Sequence, residues 1–406
     1  MPIQTIATIK PAGKTVLLRV DFNSPIDPQA GIILDDKRFR EHLKTIRALN
    51  DTRCIVVTHQ SRPGKKDFTS LEAHAKRLEQ LIGSPVRFID DIFGAAARNA
   101  VKAMNPGEIL MLENVRFNAE ENLKMNGEDA AKTILIRRLA QMADFYINDA
   151  FGTAHRSQPT VVGLPEVMPS AAGLLMEKEI QNLSKVFTDA PLPVTFILGG
   201  TKVDDSLAVA EHVLAHGSAG NVLMIGVVAN LFFEASGYDI GCPSHDLIAT
   251  LGYEHLIPSA KQLIDTYGDK ILLPSHVAVR EGNDRVEYEA SQIPSDCPVL
   301  DIGVESLETY ADAIKKSGTV VLNGPAGLFE DPDFALGTYD IIKAASEAEF
   351  SVVGGGHTAA VIEKIGYNSR FSHISTGGGA CIEFLTGKKL PALAALEKSS
   401  EKYYGR

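Results

Sequence analysis

The stretch Thr15-Val16-Leu17-Leu18-Arg19-Val20-Asp21-Phe22-Asn23-Ser24-Pro25 joins an apolar run directly to a polar loop. The run shows no alternation of apolar and polar residues, which favours a strand buried on both faces, as in a parallel sheet. We therefore predict a strand over residues 15–21. Asp21 and Asn23 follow it, and their side chains would suit a sugar-like hydroxyl group.

The same pattern recurs along almost the whole chain. Between the apolar runs, segments such as 36–49, 69–81 and 128–142 have apolar residues at three- and four-residue spacing, which predicts helices. This β-α order predicts an α/β fold with two doubly wound, Rossmann-like parallel-sheet domains. The predicted strands are residues 15–21, 54–58, 109–112 and 145–148, then 194–198, 222–225, 271–273, 299–301, 319–323 and 351–353.

Length and composition agree with this organisation. A chain of 406 residues with 45% hydrophobic residues is long enough for two buried cores. We predict a first domain over residues 1–172, a connecting helix or hinge over 173–188 and a second domain over 189–389. The segment 390–406 remains as a C-terminal extension.

Charge and cysteine content exclude several classes of protein. The formal net charge of -11 argues against nucleic acid or an anionic membrane as the main partner. The four cysteines, with no C-x-x-C pair, argue against a zinc site or a disulfide framework and fit a reducing compartment. No apolar run has the length of a membrane span, and the first residues do not resemble a signal peptide. We expect a soluble, cytoplasmic protein.

Cationic and imidazole side chains follow the predicted strands of the first half. In an open parallel sheet, ligands bind beyond the carboxyl ends of the strands. A guanidinium group suits forked contact with phosphate or carboxylate. Each arginine alone would also fit a solvated surface charge, and Arg38 could simply pair with Asp35. Their shared placement favours an anion site built from Arg38, His59, Arg62, Arg116 and Arg156.

Glycine-rich turns occupy the corresponding positions in the second half. Glycine at a strand-to-helix turn lets backbone N–H groups approach a phosphate at the positive end of a helix. Any one of these segments would also fit an ordinary tight turn. Together they predict a second anion site, and hence phosphoryl transfer between two bound ligands. The segments are 199–205 (GGTKVDD), 323–330 (NGPAGLFE), 354–358 (GGGHT) and 375–380 (STGGGA).

Several longer strings resemble the phosphoglycerate kinase family, and the resemblance covers essentially the whole chain. The strings are RVDFNSP (19–25), LENVRF (112–117), NDAFGTAHR (148–156), LGGTKV (198–203), NGPAGLFE (323–330), GGGHTA (354–359) and SHISTGGGACIEFLTGKKLP (372–391). They occur in the family's order. The resemblance implies reversible phosphoryl transfer between 1,3-bisphosphoglycerate and ADP, giving 3-phosphoglycerate and ATP, by a monomeric enzyme of glycolysis and gluconeogenesis that uses Mg²⁺-nucleotide.

The resemblance also implies roles for individual residues. Arg38 and Lys202 would flank the phosphoryl group during transfer, and Glu330 would contact the nucleotide ribose. The segment 390–406 would pack back on the first domain, although an amphipathic helix on its own domain would fit the sequence equally. The implied phosphoglycerate ligands are Asp21, Asn23, Arg38, His59, Gln60, Ser61, Arg62, Arg116 and Arg156. The implied nucleotide ligands are Gly199, Gly200, Lys202, Asn323, Glu330, Gly354, Gly355, Gly356, His357 and Thr358.

Two positions depart from the usual family pattern. Ser206 stands where many members have a second lysine, and His357 stands where many have aspartate, a combination that looks like the archaeal branch. The metal ligands stay undetermined: Asp204 and Asp205 would suit Mg²⁺ through water or would cap helix amides. The alternative function is a non-catalytic nucleotide-binding scaffold of the same fold. A nucleotide-dependent oxidoreductase or P-loop enzyme is disfavoured because neither G-x-G-x-x-G after a first strand nor a Walker sequence is present.

Overall fold

The computed structural model describes residues 2–405, which form two compact units. The first unit extends to Gln181 and takes up the chain again from Lys389, while the second comprises Asn182–Lys388. Both ends of the described chain therefore belong to the first unit. No helix within the described range is long and apolar enough to cross a bilayer.

The first unit is built on a parallel sheet with the strand order β5-β6-β4-β1-β7-β8. Its strands are β1 (Thr15–Arg19), β2 (Ile26–Asp27), β3 (Ile32–Ile33), β4 (Arg53–Val57), β5 (Val86–Phe88), β6 (Ile109–Met111), β7 (Phe145–Asn148) and β8 (Ser170–Ala172), of which β2 and β3 form a separate hairpin. Its helices are α1 (Ile6–Ile9), α2 (Lys37–Ala48), α3 (Glu72–Ile82), α4 (Ala95–Lys102), α5 (Gly127–Lys132), α6 (Ile134–Ala140), α7 (Pro159–Val162), α8 (Leu164–Val167) and the start of α9 (Leu174–Thr188).

Strand β1 lies in the middle of this sheet and is covered on both faces. Val16 and Leu18 belong to the hydrophobic cluster on one face, whereas Leu17 belongs to the cluster on the other. All three side chains are completely buried. The continuous apolar run is therefore explained by a strand between two helical layers.

The second unit repeats this plan with the order β11-β10-β9-β15-β16-β17. Its strands are β9 (Val194–Leu198), β10 (Asn221–Met224), β11 (Ile271–Leu272), β12 (His276–Glu281), β13 (Asp284–Glu289), β14 (Val299–Ile302), β15 (Thr319–Asn323), β16 (Phe350–Gly354) and β17 (His373–Ile374). Its helices are α10 (Val203–Ala215), α11 (Gly226–Ala235), α12 (Cys242–Thr250), α13 (Ile257–Tyr267), α14 (Val304–Lys315), α15 (Leu336–Ala345), α16 (Gly356–Lys364) and α17 (Gly379–Leu385). The prediction of two parallel-sheet α/β domains is confirmed.

The last helix, α18 (Pro391–Tyr404), packs within the first unit. The backbone N–H of Ala392 donates to the carbonyl oxygen of Ala154 at 3.0 Å. Leu390, Leu393 and Leu396 are buried. The end of the chain therefore fixes the loop that follows β7.

Two predicted elements differ from the structure. The segment 299–301 was expected in the parallel series, but β14 pairs antiparallel with β12 in a separate three-stranded sheet. A short apolar run specifies burial and not the direction of its partner, which explains this error. The helix predicted over 128–142 is interrupted at Thr133, which is extended and whose Oγ1 accepts from the N–H of Ile136 at 3.3 Å as the N-cap of α6.

Candidate active site

The loops after β1 and β7 meet at Asp21 in the first unit. Asp21 is buried and forms an ion pair with Arg38 at the start of α2. A Cβ on Gly152, in the loop after β7, would lie 2.6 Å from Asp21 Oδ2, so only glycine lets that loop come so close. Burial would raise the pKa of Asp21, but the nearby cations, Arg38 first, outweigh it and lower the pKa to about 2.

Three of the predicted arginines, Arg38, Arg116 and Arg156, lie within electrostatic range of this aspartate, and Arg62 lies within range of Arg156. Burial and the charges of Arg156 and Arg19 lower the pKa of Arg116 to about 10. Burial also lowers the pKa of Arg156, and Arg19, Arg38 and Arg62 add to the effect. Guanidinium groups that depress each other's pKa lie within electrostatic reach of one another. The cluster is therefore a region of concentrated positive charge suited to a multiply charged anion.

His59, after β4, presents a hydrogen-bond donor beside this cluster. The guanidinium of Arg19 lies 3.1 Å from Nδ1 of His59, and because arginine can only donate, Nδ1 must be the acceptor. The ring proton is then on Nε2, a buried atom without a hydrogen-bond partner among residues 2–405. Burial, followed by the charge of Arg19, holds the pKa of His59 well below its ordinary value. The imidazole is thus a neutral donor.

Arg19 also contributes to this site, although it was not among the predicted site residues. It is buried at the end of β1, and its Nε donates to Oγ1 of Thr160 at 3.2 Å. Thr160 Oγ1 in turn donates to the buried carboxyl of Glu121 at 2.6 Å. Burial raises the pKa of Glu121, although Arg19 opposes that shift. The feature of the sequence that could have identified Arg19 is its position as a charged residue inside the apolar run of 15–21.

The predicted residues Asn23, Gln60 and Ser61 hold the loops together. The side-chain oxygen of Asn23 accepts from the backbone N–H of Ser61 at 2.8 Å. Gln60 is completely buried, and its amide exchanges hydrogen bonds with the backbone of Ser24 at 3.1 and 3.2 Å. Ser61 has a φ of +56°, a strained conformation for a residue with a Cβ, and its carbonyl oxygen accepts from Arg116. These contacts fix the loop after β4, which carries the exposed Arg62.

In the second unit, glycines bring loop backbones into direct contact. The loops after the neighbouring strands β9 and β15 pack closely, and a Cβ on Gly324 would lie 2.1 Å from the carbonyl oxygen of Gly199. Gly324 and Gly200 both have positive φ, at +90° and +75°. The order reversal of the sheet falls at β9 and β15, where ligands bind in doubly wound folds.

The loop after β16 begins helix α16 beside these glycines. Gly355 has a φ of +84°, and Oγ1 of Thr358 accepts from the N–H of Gly324 at 3.1 Å. Asn323 is buried at the end of β15, and a Cβ on either Gly354 or Gly355 would approach its Oδ1 to 3.1 Å. The first turn of α16 thus leaves N–H groups available for an anion.

A cavity of about 230 Å³ lies in the second unit next to these loops. Its lining is mainly apolar and includes Phe233 and Val277, with Glu330 and His357 among its polar members. Asp301 also lines it and was not identified from the sequence. Burial raises the pKa of Asp301 to about 6, although its Oδ2 accepts from the N–H of Gly337 at 2.9 Å. The cavity has the character of a binding site for a flat apolar group with a polar extension.

Lys202 is exposed, and its Nζ lies 4.0 Å from Asp205. Asp204 and Asp205 both lie in the first turn of α10, and burial followed by the charge of Asp204 raises the pKa of Asp205. No group of three or more potential metal ligands occurs within the part of the chain that the structure describes. Mg²⁺ typically binds through one or two carboxylates together with substrate phosphates, and this pair fits that mode. Ser206 is buried within α10 and does not reach the surface of this region.

Comparison with protein-family models gives a match over residues 6–388 to the family described as "Phosphoglycerate kinase". The match spans the two sheets and every loop discussed above.

Similar proteins and structures support this assignment. The phosphoglycerate kinase of Methanocorpusculum labreanum is 60% identical over 99% of this chain and 100% of its own length. That of Methanothermus fervidus is 47% identical over 97% of both chains. The crystal structure of phosphoglycerate kinase from Pyrococcus horikoshii OT3 has a TM-score of 0.90 at 39% identity, covering 99% of this chain and 100% of that one. The chain therefore belongs to the phosphoglycerate kinase family.

Proposed function

We propose that the chain is a phosphoglycerate kinase, which transfers a phosphoryl group reversibly between 1,3-bisphosphoglycerate and ADP. One observation in particular supports this proposal. Asp21 forms an ion pair with Arg38, and Arg19, Arg116 and Arg156 lie within electrostatic range of the same carboxylate. A small acid with a phosphate and a hydroxyl group would find guanidinium donors for its anionic oxygens there. It would also find a carboxylate that can accept a hydrogen bond from its hydroxyl group.

The chemistry does not require a general base. The acceptor is the carboxylate of 3-phosphoglycerate, which is already ionised at neutral pH. His59 matches this requirement, because its Nδ1 is occupied by Arg19 and its Nε2 carries the proton. The main barrier is the repulsion between anions, which cations and amide donors reduce in a dry site.

Arg38 has the position for contact with the transferring group. Its guanidinium uses one nitrogen for Asp21, and a guanidinium has five donors in total. The side chain is 45% exposed, so further donors are accessible to a ligand. In this proposal Asp21 orients Arg38, and Arg38 neutralises developing charge on the phosphoryl oxygens.

The nucleotide belongs to the second unit in this proposal. Its base would occupy the apolar cavity, with Glu330 at the ribose and the loop Gly354–Gly356 with His357 and Thr358 along the phosphates. Gly199, Gly200 and Asn323 shape the adjoining loops, and Lys202 provides a positive charge. Mg²⁺, when bound with the nucleotide, would neutralise phosphate charge, and Asp204 or Asp205 would hold it. We propose a monomeric, cytoplasmic enzyme.

A coupled assay tests the proposal against the non-catalytic scaffold. Purified protein is mixed with ATP, Mg²⁺ and 3-phosphoglycerate, and ADP release is followed, with each component omitted in turn. If the protein is a kinase, ADP release should depend on ATP, Mg²⁺ and 3-phosphoglycerate together. Binding of ATP and 3-phosphoglycerate by calorimetry without turnover would instead support the scaffold. Neither binding nor turnover would reject both.

A further inference from the structure

One face of helix α2 carries three polar residues that point toward the same region. Arg38, His42 and Thr45 are spaced by four and three residues, which places them on a common face of a helix. His42 and Thr45 are buried. Arg38 contacts Asp21, and the other two contact residues that lead to the start of α9.

His42 bridges two parts of the chain with a defined tautomer. The backbone N–H of Asp21 donates to Nε2 of His42 at 3.1 Å, so Nε2 carries no proton. Nδ1 therefore carries it and donates to Oδ2 of Asp149 at 2.7 Å. Both side chains are buried, where a satisfied polar network restricts the conformation of its members.

Asp149 continues the connection to the first turn of α9. Its Oδ1 accepts from the N–H groups of Leu175 at 2.9 Å and Met176 at 3.3 Å. A Cβ on Gly173 would lie only 2.1 Å from the same oxygen, so glycine is required for this approach. The N–H of Leu174 donates to Oγ1 of Thr45 at 3.0 Å. The first N–H groups of α9, which have no acceptor within the helix, are thus capped by side chains from α2 and from the loop after β7.

We infer that His42 is a positioning residue for Asp21, and that with Asp149 it connects the substrate loop to the start of α9. Asp21 is held from two directions: Arg38 binds its carboxylate, and His42 binds its backbone. A ligand that immobilises Asp21 would therefore also immobilise Asp149 and the first turn of α9. The choice of 3-phosphoglycerate as that ligand rests on the proposed function.

Two substitutions separate the halves of the bridge. In His42→Asn the amide can replace Nδ1 toward Asp149 but is too short to accept from Asp21. In His42→Gln the longer amide can replace Nε2 toward Asp21 while the donor to Asp149 is lost. We expect His42→Asn to raise the KM for 3-phosphoglycerate about tenfold with kcat changed much less, as for one lost hydrogen bond. His42→Gln should raise this KM less than His42→Asn does, because the backbone N–H of Asp21 keeps an acceptor.

Hydrogen exchange at the amides of Leu175 and Met176 tests the second half of the bridge. In the wild type, 3-phosphoglycerate should slow exchange at both amides, and in His42→Gln this ligand-induced protection should be lost. Thr45→Val is the control, since it removes the cap on Leu174 without contacting Asp21. It should speed exchange of Leu174 and leave the KM for 3-phosphoglycerate unchanged. Thermal melting of each variant verifies that the fold is retained.

Two results would overturn the inference. One is an unchanged KM in His42→Asn. The other is identical exchange of Leu175 and Met176 with and without 3-phosphoglycerate, when calorimetry shows that the wild type binds it. Absence of binding to the wild type would reject the proposed function instead. In that case exchange in the ligand-free proteins still decides the connection, because His42→Gln should expose Leu175 and Met176 whether or not a ligand binds.

Discussion

The candidate sites in the two units are built from different parts of the polypeptide. In the first unit, side chains supply the charge, and buried partners such as Glu121 and Thr160 hold them in place. In the second unit, glycines allow loop backbones to approach within contact distance, and the exposed Lys202 is the cation of the GGTKVDD segment. The site in the first unit, built from side chains, and the site in the second unit, built from backbone, should therefore lose ligand binding in response to different substitutions.

The difference follows from the shape of the ligands in the proposed reaction. A small, highly charged acid offers mainly anionic oxygens, which guanidinium groups match well. A nucleotide offers a large apolar surface together with phosphates, which suit a cavity and a helix N-terminus. Truncation of a side chain should impair the first site, whereas addition of a Cβ should impair the second.

The largest effect is expected at Arg38. Arg38→Ala should lower kcat about a thousandfold, in the range seen for other transition-state arginines. The matched control is Arg40→Ala on the same helix, because Arg40 is exposed and pairs with Asp36. Steady-state assay of both variants measures the effect. Turnover of Arg38→Ala within tenfold of the wild type would contradict the assigned role.

The second effect tests the backbone site through Gly324. Gly324→Ala places a Cβ against the carbonyl oxygen of Gly199 at a φ of +90°. We expect the free energy of unfolding to fall by about 3 kcal/mol and ADP affinity to fall with it. Gly282→Ala is the control, since Gly282 also has positive φ, at +60°, but has nothing within 4 Å of the added Cβ. Equal losses in the two variants would show that close packing of the loops is unimportant.

The third effect is a pH dependence that originates at Asp21. The pKa of Asp21 in the folded protein is about 2, below the ordinary value of 3.8. The ionised carboxylate therefore stabilises the fold above pH 4, and that stability is lost as the pH falls through 2. The difference between these two pKa values corresponds to a contribution of roughly 2 kcal/mol to the free energy of unfolding.

Asp21→Asn should remove this contribution and flatten the acid limb of the unfolding free energy between pH 4 and 2. Asp51→Asn, at an exposed position, makes the same charge change and serves as the control. Denaturant unfolding at a series of pH values measures both. If the acid limbs of wild type and Asp21→Asn coincide, the ion pair with Arg38 does not stabilise the protein.

The smallest effect is expected at His357, which is exposed at the start of α16. His357→Asp introduces a hard oxygen ligand near the proposed phosphate site, and should lower the Mg²⁺ concentration for half-maximal turnover by a small factor. His255→Asp, at another exposed histidine of the same unit, should leave it unchanged. An increased Mg²⁺ requirement in His357→Asp would argue that the imidazole itself serves the nucleotide.

Sequence patterns predicted much of the fold, and their failures have physical causes. Strands buried on both faces, such as β1 and β9, were recognised because continuous apolar runs are required there. Strands β5 (VRF) and β8 (SAA) were missed because neither is a continuous run of large apolar residues, whereas the equally short β6 (ILM) is such a run and was recognised. The antiparallel pairing of β14 was missed because burial of a strand does not reveal its neighbour. The break at Thr133 depended on a single capping residue within a helical pattern.

The amino-acid sequence by itself determined which chemical groups are present and on which loops they lie. His59 and Arg116 follow strands β4 and β6, which are neighbours in the first sheet, so their proximity within the first unit was expected from a parallel sheet. The glycine turns follow strands of the second sheet in the same way. Tertiary structure decided how those groups are held. The tautomer of His59 depends on Arg19, and the backbone of Asp21 is held by His42. These are contacts between residues far apart in the chain, and no local pattern specifies which buried donor will meet which acceptor.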